Sequence, residues 1–203
     1  MSSSLAHAPA LSAHESSFYS VGWRKLMMWL FLITDALLFA GFLGGYAFCR
    51  LASDRPWPDR AEVFDLNFIT VMTFLLITSS TTMASAVLAA RNGRRSTTRL
   101  FLLATAAIGV LFLGMQAIEW THFIEAGARP WENPWGVAGF SAYFFLITGF
   151  HGTHVLLGVL VLALTATRSL GRPNAAEMVE VAGLYWHFVD LVWVFVFGCF
   201  YLF

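Results

Sequence analysis

The 203-residue chain is 58% hydrophobic and 12% charged, about half the charged share of an ordinary soluble domain, which excludes a soluble globular protein and points to an integral membrane protein. Its formal net charge of zero leaves no basic surface for nucleic acid and no acidic tail. The two cysteines, Cys49 and Cys199, lie far apart in sequence and form no Cys-x-x-Cys or other cysteine metal motif.

Residues 1–22 are rich in Ser, Ala and His without sustained apolar periodicity, and are expected to form a mobile or surface tail with His7 and His14 in solvent. Arg24 and Lys25 then precede an apolar run over about 26–48 that is too long for a signal-peptide core and carries Asp35. It is expected to be a first spanning helix. Further runs at about 68–90, 100–124, 140–167 and 179–203 each supply the roughly 20 residues that cross a bilayer. The expected fold is therefore all-α, a single membrane domain of five transmembrane helices over residues 23–203.

Lys and Arg counts set the expected orientation. Arg24, Lys25, Arg91, Arg94, Arg95, Arg99, Arg168 and Arg172 fall on the side of the N-terminus, against Arg50, Arg55, Arg60 and Arg129 on the other. This predicts a cytoplasmic N-terminus and an external C-terminus. Trp57, Trp131 and Trp135 fall in the external connections and read as interfacial anchors.

Ionisable residues within spans are costly and need partners. Helix one carries Asp35, helix three Gln116, Glu119 and His122, helix four His151 and His154, and helix five His187 and Asp190 with Trp186 on the same stripe as Asp190. Three readings are open. Glu119-x-x-His122, His151-x-x-His154 and His187-x-x-Asp190 each place two potential metal ligands on one helical face. Alternatively Asp35, His187 and Asp190 line a proton or ion pathway, or these residues simply hydrogen-bond one another between packed helices. Helix two adds Thr70, Thr73, Thr78, Ser79, Ser80, Thr81, Thr82 and Ser85, types that more often bond their own backbone or permit close packing.

The stretches Ile147-Thr-Gly-Phe-His-Gly-Thr-His-Val155 and Tyr185-Trp-His-Phe-Val-Asp-Leu-Val-Trp193 closely resemble the signature segments of subunit III of haem-copper oxidases. Leu32-Ile-Thr-Asp-Ala-Leu-Leu-Phe39 resembles the family helix bearing a buried carboxylate, with Asp35 where glutamate is usual, and Gln116-Ala-Ile-Glu-Trp120 resembles its Gln-Ala-x-Glu-Tyr segment. The resemblance covers about residues 24–203 and is to the five-helix bacterial form, in the bacterial cytoplasmic membrane. It implies a non-catalytic subunit of a proton-pumping cytochrome c or quinol oxidase, with no haem, copper or other metal in this chain and redox centres in partner subunits. It further implies contact with subunit I, assembly with subunit II and the other subunits, bound phospholipid, and scope for a larger respiratory supercomplex. Under it Asp35 is a buried carboxylate near subunit I that supports proton uptake. Gln116, Glu119, His151, His154, Trp186, His187 and Asp190 become a structural polar network fixing helix register. An accessory subunit of a nitric oxide reductase, or less in keeping with the motifs an intramembrane metalloenzyme or transporter, is the alternative.

Overall fold

The computed structural model describes residues 22–202, so the expectations for the tail, including His7 and His14, lie outside the described residues. Five long helices follow in order: α1 Trp23–Leu51, α2 Leu66–Arg91, α3 Arg95–Glu125, α4 Ala138–Leu164 and α5 Ala175–Phe197. Each is long and apolar enough to cross a membrane. A wider, π-type turn prolongs α4 through Thr165–Ser169 and another prolongs α5 through Gly198–Leu202. The helices begin and end a few residues beyond the apolar runs at most ends, because backbone hydrogen bonding continues through flanking Trp23, Arg24, Asn67 and Arg95 after hydrophobicity stops.

The ends have identifiable causes. Asp65 caps α2, its Oδ1 accepting from the backbone N–H groups of Asn67 and Phe68 at 3.0 and 3.2 Å. After α2, the Gly93 and Arg94 N–H groups turn back to the carbonyls of Ala90 and Ala89. That closure needs a left-handed residue, which Gly93 supplies at φ +69°. Gly127, at φ +91°, closes α3 in the same way.

Helices α2, α3, α4 and α5 pack as a ring, α2 on α3 and α5, α4 on α3 and α5, while α1 lies against α4 and α5. Helix α1 buries a single stripe, Leu32, Asp35, Phe39 and Tyr46, at helical spacing, and leaves Ile33, Leu37 and Phe48 outward. At the N-terminal end Glu180 pairs with both Lys25 and Arg91, the latter at 2.6 Å, and Arg24 lies 3.8 Å from Glu177. These pairs draw α1, α2 and the start of α5 together, with acids near the positive end of α5.

At the opposite end Phe64, Phe123, Phe140, Phe144 and Tyr201 form an aromatic cluster. The tryptophans expected as anchors divide there. Trp131 is 73% exposed, whereas Trp57 packs on Tyr46 and Phe140 and Trp135 stacks on Phe123. The fold draws these two into the core because Arg55 donates to the Gly136 carbonyl at 2.9 Å and Asn133 to that of Val137 at 2.7 Å, pinning both connections down.

Candidate functional site

The polar residues singled out in the sequence sit inside the helices, and the structure sorts them into three separate groups and one isolated ring. In the first, Asp35 of α1 is 7% exposed and its Oδ1 lies 3.3 Å from His154 Nε2 on α4. His154 Nδ1 faces the carbonyl of Phe150 at 2.9 Å, so Nδ1 carries hydrogen and donates to it. Nε2 is thereby turned to the Asp35 carboxyl. Phe39, Phe150 and Tyr185 enclose the imidazole, and the Tyr185 hydroxyl donates to the His154 carbonyl at 3.0 Å.

The second group joins α5 to α2. Ser80 donates to Asp190 Oδ2 at 2.5 Å, and His187 Nδ1 lies 3.0 Å from the same hydroxyl oxygen. A hydroxyl has one hydrogen, and Ser80 gives it to the carboxyl. His187 Nδ1–H is therefore the donor to Ser80, which leaves the lone pair on Nε2. Beside them the Trp186 indole N–H donates to Ser79 Oγ at 2.9 Å, and Ser79 donates to the Leu76 carbonyl at 2.6 Å. The Trp186 ring is fully buried between two glycines. A Cβ added at Gly109 of α3 would come 2.6 Å from Trp186 Cη2, and one at Gly158 of α4 would come 2.8 Å from Cε3. This one side chain thus touches α2, α3 and α4 from α5.

The third group lies nearer the aromatic cluster. Glu119 accepts from Gln116 Nε2 and from the Tyr201 hydroxyl, both at 2.7 Å. The π-type turn after α5 brings Tyr201 there. Glu119 is 6% exposed, so each donor matters. Tyr201→Phe should lower stability by about 1–3 kcal/mol, because a buried carboxyl loses one of two donors; the thermal unfolding midpoint of the purified complex measures it.

His151 stands apart, fully buried with neither ring nitrogen hydrogen-bonded. Phe112 meets it edge-on with centroids 5.8 Å apart, and Trp193 lies 5.1 Å away, tilted by 32°. The facing aromatic π systems are the polar contact left to its N–H. Trp193 itself donates to Thr73 Oγ1 at 3.1 Å.

The three paired motifs of the sequence do not converge. His122 is exposed while Glu119 turns to Tyr201, His154 goes to Asp35, and His187 with Asp190 goes to α2. Among the described residues no three His, Cys, Asp or Glu side chains come together as a metal-binding group. Sequence reasoning did not find Tyr201, and it read Thr73, Ser79 and Ser80 as hydroxyls bonded to their own helix, without their partners Trp193, Trp186, His187 and Asp190 on α5.

The sequence model described as cytochrome c oxidase subunit III matches residues 6–203. The chain belongs to the cytochrome c oxidase subunit III family. The chain is similar to a probable quinol oxidase subunit 3 of Staphylococcus haemolyticus, 30% identical over 183 residues that cover 88% of each chain. It is 31% identical to a cytochrome c oxidase subunit 3 of Alkalihalophilus pseudofirmus, over 95% of this chain and 93% of that one. It is 34% identical to a cytochrome bo(3) ubiquinol oxidase subunit 3 of Pseudomonas aeruginosa, over 93% and 89%. In this subunit III family member, both signature segments thus serve as joints between helices. The α4 segment supplies His154 to α1, and the α5 segment supplies Trp186, His187 and Asp190 to α2.

Proposed function

We propose that this chain is the non-catalytic third subunit of a proton-pumping terminal oxidase, carries no redox centre itself, and seats beside the subunit that reduces oxygen. The observation that carries the reading is the family match across residues 6–203 together with five membrane-crossing helices. Haem and copper belong to partner subunits in this reading, and the chain lies in the bacterial cytoplasmic membrane with its N-terminus inside. The excess of Arg and Lys at the end holding Arg24, Lys25, Arg91 and Arg99 supports that orientation. A groove of about 750 Å³ between α1, α4 and α5, lined by Met27, Phe31, Leu157 and Val161 and reached by Arg24, supports a bound phospholipid.

Asp35 and His154 are the groups through which the subunit would support proton uptake, because a carboxyl and an imidazole face each other at 3.3 Å between α1 and α4. Gln116, Glu119, His151, Trp186, His187 and Asp190 would hold the helices in register. In the purified oxidase, Asp35→Asn is expected to keep full haem absorbance and all subunits. Turnovers before inactivation should fall about tenfold, equivalent to roughly 1.4 kcal/mol on a barrier. Unchanged turnover with the variant in place would remove Asp35 from proton uptake. Purification of this chain without any haem protein would overturn the oxidase reading.

A further inference from the structure

The outward hydroxyls of the bundle satisfy themselves. Exposed Thr34, Thr78, Thr121 and Thr153 each donate to a carbonyl of their own helix, so hydrocarbon can cover them without leaving a donor bare. His187 cannot do this. It is exposed, stands about 18 Å along α5 from Ala175 by the helical rise, and its Nδ1 is committed to Ser80. No hydrogen bond of the described residues reaches Nε2, which is left as an acceptor on an exposed ring. A polar acceptor without a donor at mid-membrane costs about 2–7 kcal/mol.

A groove of about 420 Å³ is lined at one end by His187. It runs between α2 and α5, flanked by Lys25 and Trp29 of α1, from Arg91 and Glu180 at the charged end to His187, over Ala84 and Leu184. The small, exposed side chain of Ala84 lets another helix come close on the α2 side. At the charged end two cations, Lys25 and Arg91, meet one acid, Glu180, which leaves one positive charge over. The outward faces of α4 and α1 differ, presenting Leu156, Leu160 and Leu164, and Ile33 and Leu37, which lipid covers without penalty.

We propose that this groove receives a transmembrane helix of a neighbouring oxidase subunit, a helix that offers a hydrogen-bond donor to His187 Nε2 and a carboxylate to the Lys25–Arg91 end. Glu180 and His187 are seven residues apart on α5, so the two groups on the incoming helix stand about 10 Å, or two turns, apart. The proposal rests on the reading of the chain as an oxidase subunit and adds which face meets the partner.

The test is site-specific photocrosslinking in the intact oxidase, with a photoreactive phenylalanine analogue at Ala84 or Leu184 beside the groove and, as controls, at Leu37 or Leu160. Adducts to an oxidase subunit from 84 and 184, about tenfold above those from the controls, are expected; tenfold corresponds to about 1.4 kcal/mol of preference. His187→Leu should lower retention of the chain in the purified complex by a similar factor. His187→Gln, whose amide oxygen can stand in for Nε2 as the acceptor, should restore it. Adducts to lipid alone from 84 and 184, or no adduct there, overturn the groove as the docking face. If 37 or 160 then reaches a subunit, the oxidase reading stands while this proposal fails. If no haem co-purifies with the chain, the reading itself fails.

Discussion

A valine at position 158 is expected to destabilise the bundle by about 3 kcal/mol, the upper range for forcing extra atoms into a packed core. A Cβ there would lie 2.8 and 2.9 Å from two carbons of the Trp186 ring and 3.2 Å from Tyr185. The indole is rigid and cannot retreat, because on its other edge Gly109 already lacks room for a Cβ, 2.6 Å from Cη2. Its N–H is also tied to Ser79. The thermal unfolding midpoint of the purified complex, with the fraction of this chain retained, measures the effect. Gly41→Ala is the contrast. A Cβ at Gly41 meets nothing within 4 Å, so that variant should match the parent or gain a few tenths of a kcal/mol from helix propensity.

His154→Leu should cost about 3 kcal/mol, since breaking one partner out of a buried pair leaves the other uncompensated. Asp35 Oδ2 already has no hydrogen-bond partner, and Oδ1 has His154 Nε2. The double variant Asp35→Leu with His154→Leu should recover at least half of that loss, because both polar groups leave together. The coupling is read from a double-mutant cycle on the unfolding midpoint. A double variant as damaged as the sum of the two single ones would mean that Asp35 and His154 act independently.

Much of the architecture was legible in the sequence for a plain physical reason. Spanning helices must be apolar over about 20 residues, and the five runs satisfy that. The chemistry around the buried ionisable residues was less legible. The sequence suggests that the buried ionisable residues bond one another, yet the partners of His187 and Asp190 lie on α2, at Ser79 and Ser80. Hydroxyls in membrane helices usually fold back on their own carbonyls, and Thr70, Thr73, Thr78 and Ser85 do so here. Nothing local marks Ser80 as different; its face is decided by how α2 sits on α5. The Tyr201 contact is not legible in the sequence because the widened turn after Phe197 brings its hydroxyl onto Glu119. His151 read as another hydrogen-bonding member of a network, while the fold surrounds it with Phe112, Trp193 and Phe39.

The seat of Trp186 has a bearing on the order in which the protein is built. Its walls are Gly109 and Gly158 and its hydrogen-bond acceptor is Ser79, all contributed by helices that precede α5 in the chain. During synthesis these three helices are in the membrane before the side chain that fits between them exists. The earlier helices can associate only loosely around that space, and the arrival of α5 converts them into one interlocked unit.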